Sequence, residues 1–285
     1  MKHRSLFKRS SLSILFLWLG LFALASLALM LVTSFLQHTD SDLFVFKFTL
    51  ENYSELFDYV YFRILCQSLS LAAICTGLCL VIGYPAAYVL AQIRSPLKPL
   101  LLILFVIPFW TSSLIRTYAM LAILKTHGVL NTLLLSLGWI HQPTQILYTN
   151  TAVLIGSVYN LLPFMILPLY STIEKMDLRL LEAARDLGAN RLRLFRSIII
   201  PLSMPGIVAG CLLVFLPTMT LFYIPVLLGG AKSLLIGNLI QNQFLAMRNW
   251  PGGAATSIML TAFLLLLILI FRHFSPKDKQ SEDVL

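Results

Sequence analysis

Residues 182–201 read EAARDLGANRLRLFRSIIIP, a polar island between long apolar runs, and the spacing within it governs how the rest of the chain is read. Leu180, Ala183, Ala184 and Leu187 recur at i, i+3, i+4 and i+7, one apolar stripe on a short helix. Asp177 stands where that helix needs an N-cap, and Gly188 where a left-handed turn would end it. A second short helix is predicted to carry Leu192, Phe195 and Ile199 until Pro201 breaks it. Two short helices at an angle, held against a membrane surface, make a knob that a partner can grip. An amphipathic loop without a partner has the same periodicity, so the remainder of the chain must decide between them.

Hydrophobic residues make up 58% of the 285 and charged residues 12%, with a mean hydropathy of +0.85. Soluble domains carry about a quarter charged residues, so the chain is read as an all-α integral membrane protein. Six apolar stretches, near 12–36, 65–91, 100–124, 151–171, 204–228 and 253–272, are long enough to cross roughly 30 Å of hydrocarbon as helices. The first follows Lys2, Arg4, Lys8 and Arg9, but its apolar run exceeds the roughly 7–15 residues of a cleaved leader, so it is read as a retained span. With the N-terminus inside, fifteen Lys and Arg fall on cytoplasmic segments and five on outer ones. That places both termini and the loop at about 172–202 in the cytoplasm. The net charge of +9 is then mostly topology and calls for no nucleic-acid partner.

The four cysteines, Cys66, Cys75, Cys79 and Cys211, fall in or beside predicted spans and read as small apolar residues. The five histidines are scattered, no nucleophile is paired with a base, and no metal site is expected. Gly229 to Ser233 (GGAKS) lacks the glycine before lysine that a phosphate loop requires. The first outer loop carries FTLENYSELF at 48–57, read as a turn followed by a short amphipathic helix. Pro85 with Gly83, Pro108, Pro163, Pro168, Pro205, Pro217 and Pro225 are expected to break spans, freeing carbonyls that protein or a wet cavity must cover. Gly206 and Gly210 form a face that admits another helix closely.

All twelve Asp and Glu lie outside the predicted spans, which disfavours a carrier driven by intramembrane carboxylates. PFWTSSLIRTY at 108–118 is unusually polar and aromatic for a span. An arginine there costs about 2.5–3.5 kcal/mol on insertion scales, so Arg116 faces protein or water. A structural role, bonding carbonyls or reaching the outer edge, fits it as well as a role in a pathway. Trp110, Tyr118, Tyr159, Asn160 and Tyr223 are candidates for an amphipathic cavity wall, although packing or an interfacial belt also accounts for a single aromatic.

EAA, three residues, glycine, nine residues and Ile198-Ile199-Ile200-Pro201 resemble the EAA loop of ABC importer permeases, departing only in Ile200 for the usual leucine. Together with PFWTSSLIRTY, IIIPLSMPGIVAGCLLVFLP, LLGGAKSLLIGNLIQNQFL and NWPGGAATS, the chain resembles the B-type permeases of bacterial spermidine/putrescine importers within the binding-protein-dependent permease family. The resemblance implies a type I importer permease fold in the inner membrane, a single domain over 1–285, paired with a second permease. Two ATP-binding subunits would dock below and a periplasmic polyamine-binding protein above. ATP and magnesium would belong to the partner ATPase, and this chain would be a non-catalytic transport subunit. The resemblance assigns Glu182, Ala183, Ala184, Gly188, Ile198 and Pro201 to ATPase coupling. A permease of the same architecture for ferric ion, sulfate or an aminophosphonate is the nearest alternative, and a secondary carrier or membrane enzyme a more distant one.

Overall fold

In hydrocarbon every backbone N–H must be paired within its own segment, so uninterrupted apolar runs become helices. The computed structural model describes residues 2–39, 45–93, 95–230 and 233–274. Asp40, Asp42, Arg94, Lys232 and the tail charges Lys277, Asp278, Lys279, Glu282 and Asp283 lie outside the described residues. The order is α1 (Lys2–Ser34), β1 (Leu36–Gln37), β2 (Val45–Phe48), α2 (Glu51–Glu55), α3 (Tyr59–Gln92), α4 (Lys98–Trp110), α5 (Ser113–Leu124) and α6 (Val129–Ser136). There follow α7 (Asn150–Glu174), α8 (Leu178–Asp186), α9 (Arg191–Leu194), α10 (Ile200–Thr220), α11 (Ile236–Gln241) and α12 (Trp250–Phe274). π-helical turns occupy Phe195–Ile199, Pro225–Gly229 and Asn242–Ala246. Among the described residues, six helical stretches are long and apolar enough to cross a membrane: Leu15–Ser34, Tyr59–Gln92, Ser113–Ser136, Asn150–Glu174, Arg191–Thr220 and Trp250–Ile270.

Contacts divide the chain into two compact units, one of residues up to Phe62 with Leu239–Phe263, the other of Arg63–Asn238 with residues from Leu264 onward. The first unit is pinned by polar contacts at the end of α1. Buried Asn52 donates to the carbonyls of Ser34 (2.9 Å) and Leu36 (2.8 Å), and the Ser34 hydroxyl meets that of Tyr53 at 2.7 Å. Phe35 stacks on Phe48, closing a two-stranded antiparallel pair that the all-helical reading did not contain. Gln243 holds the unit's other end, donating to Tyr61 (3.0 Å) and accepting from Thr256 (2.9 Å).

The second unit is built around α7, whose Met165, Ile166 and Leu169 are fully buried. Gly206 and Gly210 are the face on which α10 meets it. A Cβ at Gly210 would come within 2.7 Å of the Met165 sulfur, and one at Gly206 within 2.6 Å of the Thr172 hydroxyl. Removing the Met165 side chain would cost about 2–5 kcal/mol.

The prolines behave unequally. α3 runs through Pro85, α7 through Pro163 and Pro168, and α10 through Pro205 without interruption, contrary to the expectation that each breaks its span. Such a residue costs roughly 3 kcal/mol in a helix interior, which the buried faces of these helices outweigh. Pro108 and Pro217 instead stand in the last turn of their helices, which end at Trp110 and Thr220. The stretch expected to be one helix over 100–124 is therefore α4 and α5, with Thr111 and Ser112 extended between them (ψ 143° and 131°). Cys75 and Cys79 are buried as expected of small apolar residues, whereas Cys66 is exposed.

Candidate functional site

The two helix breaks open a cavity of about 510 Å³ in the second unit. The end of α4 brings Phe109 and Trp110, the start of α5 brings Ser113 and Arg116, α7 brings Asn160 and Phe164, and the break after α10 brings Tyr223. Phe109 and Phe164 meet edge to face at 4.7 Å, and the Arg116 guanidinium lies 5.9 Å from the Phe109 ring centre. The Tyr223 hydroxyl donates to Ser113 at 3.0 Å, tying the two broken ends together. Trp110 is 83% exposed, its ring face uncovered within this chain.

Asn160 is 2% exposed and donates to the Gly156 carbonyl (3.0 Å) and weakly to Thr117 (3.5 Å), while its Oδ1 is buried with no hydrogen-bond partner. Arg116 Nε and Nη1 are likewise buried and unpartnered. No carboxylate lines the cavity among the described residues. The wall thus offers ring faces, one amide oxygen and one fixed cation. Trp110, Asn160 and Tyr223 are brought together here; Tyr118 and Tyr159 are not part of the lining. Tyr118 lies two residues past Arg116, about 200° round the helix. Phe109 and Phe164 were missed as wall residues, since in sequence they are ordinary apolar positions.

At the opposite end of α10 the chain forms the polar turn around 177–201. Asp177 Oδ1 accepts from the Arg179 amide at 2.9 Å and caps α8, as its sequence position suggested. Gly188, at φ +80°, ends the helix: its amide reaches the Arg185 carbonyl (2.8 Å) and that of Ala189 reaches Ala184 (3.0 Å), the paired bonds of a Schellman motif. Asn190 Oδ1 then caps α9 through the Arg193 amide at 2.8 Å, a cap the sequence reading did not identify.

Of the apolar stripe, Leu180, Ala183 and Leu187 are exposed, Leu187 at 89%, while Leu181 and half-buried Ala184 pack on the core. One expectation is corrected here. Pro201 does not break the second helix. The π-helical turn at Phe195–Ile199, with the Ile200 amide reaching back to Phe195, joins α9 to α10 as one 30-residue helix, and Pro201 rides in its first α-helical turn. Beneath, Phe195 meets Tyr84 and Tyr88 edge-on (5.6 and 6.4 Å), and the Tyr84 hydroxyl meets that of Ser203 at 2.9 Å. Lys98 pairs with Glu174 at 2.8 Å beside a second cavity, about 410 Å³, which Glu182 and Arg185 also line. Leu187, Leu192, Glu182 and Ala183 are exposed around the turn, Ile198 is half-buried and Pro201 exposed.

A structural neighbour shares this helical arrangement. In a crystal structure of a bacterial ABC transporter involved in import of the acidic polysaccharide alginate, one chain matches 95% of this one, over 95% of its own length, with a TM-score of 0.74 at 18% identity. Sequence relatives lie much closer. The chain is 53% identical, over 285 residues, to the spermidine/putrescine transport system permease protein PotB of Salmonella typhimurium, covering 100% of this chain and 99% of that one. Against the protein of the same name from Escherichia coli it is 55% identical over 254 residues, 89% and 92% of the two chains. The polar turn, the α7–α10 pair and the cavity between helix breaks all lie within residues 80–279, the part matched by the model of one family. The chain belongs to that family, the binding-protein-dependent transport system inner membrane components.

Proposed function

We propose that this chain is a permease subunit of an ATP-driven polyamine importer, taking spermidine or putrescine through a pathway shared with a second permease. The observation that carries the reading is its end-to-end similarity to spermidine/putrescine permeases. The cavity supports it: ring faces at Trp110 and Tyr223 attract ammonium groups by about 0.5–2 kcal/mol each, and Asn160 Oδ1 is a free acceptor. Weak contacts of this kind suit passage, because a tight site would hold the substrate. Tight, carboxylate-based selection belongs in this reading to a periplasmic polyamine-binding protein.

The turn around 177–201 is the surface offered to one of two ATP-binding subunits. Glu182, Ala183 and Leu187 face outward while Ala184 and Ile198 anchor the turn, Gly188 sets its shape and Pro201 starts the membrane helix. Exposed apolar residues ringed by charge suit a protein partner. ATP and magnesium are handled by that subunit and not here. The whole chain acts as one membrane domain with both termini in the cytoplasm, following its basic residues.

The test is reconstitution with the second permease, ATPase and binding protein. ATP-dependent uptake of labelled spermidine that survives collapse of the proton gradient is expected. Uptake by this chain alone in proteoliposomes, driven by an ion gradient, would sink the reading. One observation favours a second solute class: the unpaired Arg116 donors in the cavity suit an oxyanion such as sulfate or an aminophosphonate. Sulfate uptake by the same assembly, with no spermidine uptake, would establish that reading instead.

A further inference from the structure

Arg116 poses a question that the polyamine reading, on which this inference rests, leaves open. A pathway for a polycation holds a fixed cation, and its Nε and Nη1 are buried without acceptors. Those two atoms are charged donors of the kind that bind carboxylate oxygens in short, strong hydrogen bonds. A buried charged donor left unpaired is costly, so an acceptor is required. Asn160 Oδ1 is itself unpartnered, so it does not serve Arg116. Every Asp and Glu of this chain lies outside the predicted spans, and none lines the cavity among the described residues. The ammonium groups of a polyamine cannot accept either.

We propose that Arg116 is one half of a displaceable ion pair whose other half is a carboxylate of the second permease, facing the same cavity. In the empty pathway the guanidinium occupies the carboxylate. An arriving ammonium group competes for it, and the nearby guanidinium both weakens that hold and reclaims the carboxylate once the substrate moves on. Arg116 thereby keeps a carboxylate-bearing passage from becoming a trap, which is the specific work of a cation in a cation pathway.

The experiment uses the complete complex of both permeases and the ATPase in nanodiscs, without binding protein or ATP, and measures retention of labelled spermidine. Arg116→Gln leaves the carboxylate unopposed and is expected to retain about tenfold more spermidine than wild type, with slower uptake once binding protein and ATP are added. Arg116→Lys keeps the charge but loses the planar set of donors, and its retention should lie between the two. Equal or lower retention in Arg116→Gln overturns the proposal, as does retention that follows added sulfate or phosphate, which would make the acceptor a free anion. Failure of both variants to assemble also overturns it, since the pair would then be a permanent structural one. Wild-type spermidine uptake is measured in parallel: its absence overturns the polyamine reading and this proposal together, whereas normal uptake with unchanged retention overturns the proposal alone.

Discussion

The turn around 177–201 and the cavity beneath Trp110 sit toward opposite ends of the same helix, yet different parts of the chain define them. Main-chain geometry shapes the turn: two side-chain caps, a glycine at φ +80° and a π-helical turn, with most of its side chains exposed. Side chains shape the cavity, and the main chain only leaves room by ending two helices early. A site of the first kind tolerates altered side chains but not an altered backbone. One of the second kind responds to side chains according to their chemistry.

The contrast breaks most directly at Gly188. No atom lies within 4 Å of a Cβ built there, so any effect of substitution comes from φ alone. Gly188→Val should lower uptake at least about tenfold while the protein stays in the membrane, because a β-branched residue is strained in the left-handed region. Gly188→Asn, which tolerates that region, should restore much of the activity. Equal uptake by both variants and the wild type, with protein quantified by immunoblot, would show that the turn is not defined by its main chain. Next in size, Trp110→Ala or Tyr223→Ala should slow uptake about threefold to tenfold through lost ring–cation contacts. Assembly and capture of polyamine by the binding protein should be unchanged. If both act only by destabilising the complex, the cavity is not a passage.

Smaller effects sharpen the boundary between the regions. Glu182→Lys alters one exposed charge beside the turn, so co-purification of the ATPase should fall by roughly twofold to fivefold, more at low salt than at high. Salt-independent binding at wild-type strength would remove Glu182 from the contact. Smallest, Tyr84→Phe deletes one hydroxyl contact with Ser203, worth about 1 kcal/mol. Uptake should stay within twofold while the melting temperature falls slightly. A large loss of uptake would mean that the α3–α10 contact does more than support the turn.

The unequal definition of the two regions also explains what could be read in the residues. Asp177 and Gly188 were legible because capping and left-handed turns demand particular residue types at fixed offsets. Which leucines of α8 face outward was not, since Leu180 and Leu181 differ only in what the rest of the fold places beside them. The π-helical turn has no compositional mark, so Pro201 looked like a stop. For the cavity, polarity and aromatic content marked 108–118, and Trp110, Asn160 and Tyr223 do meet. Its position depended on which prolines end a helix, and residue type does not tell them apart: α7 runs on through Pro163 and Pro168, whereas α4 ends two residues after Pro108. Phe109 and Phe164 became wall residues only once the break between α4 and α5 was in place.

The absence of a loop between α9 and α10 has a mechanical consequence. Arg191–Thr220 is one rod of 30 residues, about 45 Å from end to end. A tilt of about 3° at the base, if the rod does not bend, displaces its far end by about 2 Å, roughly half the distance between packed carbon atoms. That far end carries Pro217 and leads into Tyr223, both of which line the cavity. A flexible joint at Pro201 would have absorbed such a motion within the first turn. With the helix continuous through the π-helical turn, a tilt imposed at the polar knob would reach the cavity as a displacement set by the length of the helix.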